Sequence, residues 1–160
     1  MTSNNDSAEA PQLRIYVDAD ACPVKDEVYK VAMRTQVPVV IVANSYMRIP
    51  RHPLVQQVAV SQDPDAADDY IAERAHSLSI VVTADIPLAD RCLKADATVI
   101  GPNGKPFTHD MIGSAMATRA LMQDLRAGGD IVGGPPPFDK RDRSRFLSAL
   151  DEAIVRLRKA

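Results

Sequence analysis

Two aspartates, Asp18 and Asp20, follow directly on a short apolar run at residues 15–17. Pro23 then opens a helical pattern in which Val24, Val28, Val31 and Ala32 fall on one face. In an open α/β sheet, groups at the carboxyl ends of strands line the crevice where ligands bind. Acids gathered there without a base repel one another, and a divalent cation is the simplest partner. Two further segments supply acids. Asp63, Asp65, Asp68 and Asp69 lie in the loop and first helical turns after an apolar run that ends at Val60. Asp85 follows the run from Ile80 to Thr83, and Asp90 stands about one turn beyond it. Hard cations such as Mg²⁺ or Mn²⁺ take oxygen ligands, keep several waters and need only a few carboxylates. A cation so held can activate water and stabilise both oxygens of an in-line phosphoryl displacement.

Each acid alone also has a structural reading. Asp20, Asp63 and Asp85 each precede a helical pattern and suit a cap. Asp65, Asp68 and Asp69 share a helical face roughly opposite Ala67, Ile71 and Ala75, where solvent alone would explain them. What singles out a site is the delivery of aspartates from three separated segments to one edge. Thr83 ends a strand and can hydrogen-bond a phosphate or a water. Lys25, Arg48, Arg51 and Arg119 are candidate phosphate contacts by charge type. His52, His76 and His109 are far apart and show no metal-ligand spacing.

The elements that must position these groups are legible as alternating patterns. Strand-like runs occur at 13–17, 37–43, 55–60, 79–83 and 97–100, several nearly continuous in apolar character, as expected for strands covered on both faces. Helical patterns lie between them, one after Asp63 and Pro64 and a short one from Pro87 to about Lys94. A longer helix is predicted from Thr108 through Ile112 and Met116 to Gly128, and a last amphipathic one carries Phe146, Leu150, Ile154 and Leu157. Strands alternating with helices imply a parallel sheet with right-handed crossovers, so every strand delivers its carboxyl end to one edge. The expected fold class is α/β, a three-layer sandwich around a mostly parallel sheet of about five strands. Residues 1–12 are expected as a disordered lead, 13–128 as the α/β domain, and 129–160 as a Gly/Pro connector and final helix packed on that domain.

The chain has 160 residues, 46% of them hydrophobic, enough for one domain with a proper core. No apolar run is long enough to span a membrane, and the polar start carries no signal region, so a cytoplasmic protein is expected. Net charge is −2, which argues against nucleic-acid binding through bulk electrostatics. From Phe138 onward, however, seven Lys or Arg stand against four acids. Such a run is a solvated helix face or a phosphate contact. Cys22 and Cys92 offer no disulfide framework, and neither is followed six residues later by Arg, as a cysteine-dependent phosphatase loop requires. Acids beside Cys22 also disfavour its thiolate.

A wider set of residues resembles a known family. Tyr16, Val17, Asp18, Ala19, Asp20, Ala21, Cys22 and Pro23; Asn44 with Arg48 and Pro50; Asp65 with Asp68; Val82 to Ala89; Arg119; and Gly133, Gly134 and Pro135 with Asp142, Arg143 and Phe146 together resemble the YaiI/YqxD family. The resemblance runs from about Leu13 to Leu150. That is a bacterial family of uncharacterised proteins, regarded as similar to PIN-like domains, nuclease-type α/β folds with acids at the carboxyl edge of the sheet. By position, the resemblance implies Asp18 as the first PIN-like acid, Asp65 or Asp68 as the second and Asp85 as the third, with Asp90 as a fourth. Asp20 is additional, and the helical acid is Asp where many PIN domains have Glu. Asn44 joins the substrate contacts on the same ground.

The leading expectation is therefore a Mg²⁺- or Mn²⁺-dependent phosphodiesterase of PIN-like type acting on RNA or DNA. Asp18, Asp85 and Asp65 or Asp68 would hold the cation, with Asp20 and Asp90 as supporting or alternate ligands. A haloacid-dehalogenase-type phosphatase is a weaker match. Asp18 and Asp20 fit its nucleophile and acid, but Thr83 comes after Asp68 and Asp69 rather than before the later acid pair. The other alternative is a non-catalytic module that binds nucleic acid or protein.

Overall fold

The computed structural model describes residues 12–20, 22–63, 65–113 and 139–159. Five strands, β1 (Arg14–Asp18), β2 (Val39–Ala43), β3 (Val55–Ala59), β4 (Ser79–Val82) and β5 (Thr98–Ile100), form one sheet in the order β3-β2-β1-β4-β5. Every pairing is parallel. The helices are α1 (Lys25–Thr35), α2 (Ala66–Arg74), α3 (Ile86–Lys94) and α4 (Lys140–Lys159). Residues 109–113 are helical. The expected lead before residue 12, the continuation of that helix to Gly128 with Arg119, and the Gly/Pro connector lie outside the described residues.

Strand side chains alternate between two cores, as the two-residue period of a strand requires. Ile15, Val17, Ile41, Ile80 and Val82 point to one side, where α1 and α4 cover them with Val28, Phe146 and Leu150 among others. Tyr16, Val40, Val42, Val81 and Val99 point to the other, under Ala67 and Ile71 of α2 and Leu88, Ala89 and Cys92 of α3. This is a three-layer α/β sandwich. Right-handed crossovers explain the partition, because the chain leaves β1 toward β2 but leaves β3 and β4 in the opposite direction. The loops after β1 and β4 therefore diverge, the topological position at which open α/β sheets form a ligand crevice. Among the described residues no helix is long and apolar enough to cross a membrane.

α4 carries the basic sequence, yet its apolar stripe holds it in place. Phe146, Leu150, Ala153 and Ile154 are all buried against the sheet and α1, and Leu157 packs at the margin. Burying each of the larger side chains contributes about 1.5–3 kcal/mol. Its cations stay at the surface.

A carboxylate cluster at the β1/β4 edge

Asp18 ends β1, and by alternation its side chain shares the α2/α3 side of the sheet with Tyr16. On β4, Val82 is the register partner of Val17, so the next step along both strands sets Thr83 beside Asp18. Thr83 is only 2% exposed, and its hydroxyl donates to Asp18 Oδ2 at 2.8 Å. The same hydroxyl accepts the Asp85 backbone N–H at 3.0 Å. One oxygen thus ties the acid of β1 to the segment that carries Asp85. Its one donor is taken up within the protein, and through it Thr83 positions the acids.

Asp85 is the N-cap of α3, and its Oδ1 accepts the Leu88 N–H at 2.9 Å. Its capping role is thus real, and its charge is felt at Asp18. Asp20 does not cap α1, whose N-cap is Val24 with no side-chain bond. Its Oδ2 instead accepts the Asn44 N–H at 3.2 Å, while Asn44 Nδ2 donates to the Ser61 carbonyl at 2.7 Å. Asn44 so links the loops after β1, β2 and β3. Asp63 is not the α2 cap residue. That position falls to Asp65, without a side-chain bond, and Asp63 Oδ1 accepts the Asp65 N–H at 3.2 Å.

Electrostatics join acids that the sequence keeps apart. Burial pushes the Asp18 carboxyl up; the Thr83 hydrogen bond opposes this, and Asp85 and Asp20 reinforce it. Asp68, in the first turn of α2, is pushed up to about 6 by burial and by Asp85, Asp18 and Asp65, with Arg91 opposing. Asp68 is half-buried whereas Asp65 is exposed, so of the two it is Asp68 that lies in the shared field. No three His, Cys, Asp or Glu side chains among the described residues converge into a ready-made metal cage.

Other residues singled out by the sequence have partners or positions of their own. Asp90 pairs with Lys94 at 2.9 Å. Lys25 Nζ donates to the Cys22 carbonyl at 2.9 Å. Arg48 is exposed in the loop after β2. Both cysteines are buried free thiols, and burial pushes Cys92 up to about 12. A groove of about 250 Å³, lined by Thr98, Arg145, Ser148, Glu152 and Arg156 among others, lies on the β5 flank and includes none of the aspartates singled out by the sequence.

Arg91 is not among the residues that spacing singles out. From α3 it reaches α2, where its Nη1 meets Asp69 Oδ1 at 2.8 Å, and it counters the charge on Asp68. The sequence clue is indirect. Arg91 flanks the buried stripe of Leu88 and Cys92, and right-handed crossovers place α2 and α3 side by side.

The model of a family described as "Uncharacterized BCR, YaiI/YqxD family" matches residues 16–156 of this chain. The chain belongs to this family. Similar proteins carry the name UPF0178 protein. The one from Nitrobacter winogradskyi is 62% identical over 148 residues, covering 92% of this chain and 94% of its own length. Another from Sphingopyxis alaskensis is 64% identical over 146 residues, covering 91% and 95%. A third from Rhodopseudomonas palustris is 64% identical over 144 residues, covering 90% and 91%. No solved structure matches the chain.

Proposed function

We propose that the β1/β4 edge is a Mg²⁺- or Mn²⁺-dependent phosphodiesterase site acting on RNA or DNA. The observation that carries this reading is the crowding of Asp18, Asp68 and Asp85, from three segments, at the point where the loops diverge. Partly buried like charges destabilise one another until a cation joins them. A donor set of carboxylates alone suits a hard ion, which keeps several waters and asks for only one or two protein oxygens. Such an open site needs no closed cage. When bound, the ion polarises phosphoryl oxygens and activates water.

The chain's own groups then have separable tasks. Asp18 and Asp85 hold the cation, and Asp68 is the third acid in reach of their field, in preference to Asp65. Thr83 holds the Asp18 carboxylate and the Asp85 backbone from beneath. Asn44 holds Asp20 in a supporting position. Hydrolysis joins a water oxygen to phosphorus, breaks the bond to the departing sugar oxygen, and leaves the proton on that oxygen.

The test is cleavage of labelled single-stranded RNA and DNA in Mn²⁺ or Mg²⁺, with wild type and Asp18→Asn purified identically. The variant is expected to lose more than about 100-fold in rate, since loss of an outer partner of a metal ligand alone costs about 10- to 100-fold. Asp85→Asn should do the same, and Asn keeps the α3 cap that Ala would remove. Equal cleavage by wild type and Asp18→Asn sinks the reading, because a contaminating nuclease would be shared by both samples.

A further inference from the structure

Tyr46 is 85% exposed, about twice the exposure of the other two large apolar side chains that reach solvent among the described residues, Met111 at 42% and Val155 at 46%. Its backbone, by contrast, is pinned on both sides. The Gln57 amide, on β3, donates to the Ser45 carbonyl at 3.0 Å and accepts the Met47 N–H at 3.3 Å. Met47 and Ile49 pack against the core, and Asn44 is tied to Asp20 and Ser61. The ring is therefore presented to solvent by an anchored loop that leaves the carboxyl end of β2 and runs along the β3 flank of the sheet. It lies two residues beyond Asn44, a chain length of about 7 Å at most.

We propose that Tyr46 is a stacking platform for an unpaired nucleobase and restricts the ligand of the β1/β4 edge to single-stranded nucleic acid. The proposal rests on the phosphodiesterase reading and names its substrate class. An acidic edge on a chain of net charge −2 holds phosphates poorly by charge alone. Stacking supplies affinity that does not depend on charge, and it tolerates any base because every base has a π-face. A duplex buries those faces within its own stack. Arg48, exposed two residues further on, provides a guanidinium for an adjoining phosphate.

The full chain contains no tryptophan, so Tyr46→Trp places a single indole at the site. The probe is an oligouridylate of about ten nucleotides, against its duplex with oligoadenylate, in EDTA and in Mg²⁺. The single strand is expected to quench the indole and the duplex to leave it unchanged. By anisotropy, Tyr46→Ala should bind the single strand about 5- to 150-fold more weakly, and Tyr46→Trp should bind at least as tightly as wild type. Wild-type affinity in Tyr46→Ala, equal binding of the duplex, or no binding of the single strand by wild type would each overturn the proposal. Binding that depends on Tyr46 without cleavage by any variant would leave the stacking site standing and remove the phosphodiesterase reading. Cleavage that depends on Asp18 but not on Tyr46 would do the reverse.

Discussion

The final helix and the β1/β4 edge are both rich in charge, and they handle it in opposite ways. On α4, Arg143 meets Glu27 at 3.2 Å, Arg145 meets Asp142 at 3.3 Å, and Asp151 meets Arg34 at 2.8 Å. Each cation is at least 44% exposed, and the Arg34–Asp151 pair, with both partners in solvent, contributes about 0–1 kcal/mol. At the edge, Asp18, Asp68 and Asp85 share one partly buried field, with Arg91 opposing them at Asp68. Charge density alone therefore separates nothing. What distinguishes the edge is an imbalance of like charge under partial burial, which opposes folding and so points to a ligand.

The sharpest way to test that contrast is to supply the missing charge. A cation that binds only the folded protein stabilises it by about 2.7 kcal/mol at 100 times its dissociation constant. For a chain of this size that is an upward shift in Tm of roughly 5–10 °C. Thermal melts with Mg²⁺ or Mn²⁺, against NaCl of matched ionic strength, should show the shift in wild type and in Arg34→Ala. Asp18→Asn should lose most of it. An equal shift in all three proteins would mean that the edge is no more a cation site than α4 is.

A smaller effect follows from Asp68 in cation-free protein. Its carboxyl is pushed up to about 6 from 3.8, so the folded state keeps a proton that the unfolded chain has already released. Between those values the folded state binds more protons, and stability must fall as pH rises through the window. Above it the penalty is fully present; below it the penalty is gone. In EDTA, Asp68→Asn should therefore melt a few degrees above wild type at pH 7.5, with the gap closing toward pH 4. Solvent screening at this half-buried position keeps the effect modest. A gap that widens on acidification would contradict the crowding.

These experiments separate what the sequence makes legible from what only the fold supplies. The five apolar runs correspond to the five strands, because strands covered on both faces must be apolar throughout. Ends are less legible. The second run begins at residue 37, whereas β2 begins at Val39, because Pro38 has no N–H to give a ladder. Pro23 signals a helix start, yet α1 begins two residues later, after the Val24 cap. Asp18 and Asp85 could be placed at one edge because parallel strands all end there. The inward turn of the Thr83 hydroxyl could not, since it depends on the β1/β4 register, which no local pattern records. The choice of Asp68 over Asp65 likewise depends on how α2 lies against β1 and β4. Arg91 and Tyr46 acquire meaning only from neighbours far away in the chain.

The smallest effect belongs to the paired charges, and it checks the other half of the contrast. Arg34 and Asp151 join α1 to α4 with side chains 61% and 42% exposed. A double-mutant cycle of Arg34→Ala and Asp151→Ala should give a coupling of about 0.2–1 kcal/mol, at most a few degrees in Tm. The coupling should shrink as NaCl rises from 0.1 to about 1 M, because the screening length falls from about 10 to 3 Å. Leu150→Ala, on the buried stripe of the same helix, should cost about 2–5 kcal/mol and show no such salt dependence. A coupling above about 2 kcal/mol that survives high salt would make the α4 charges architectural. The difference from the edge would then lie in the sign of the charges rather than in whether they are paired.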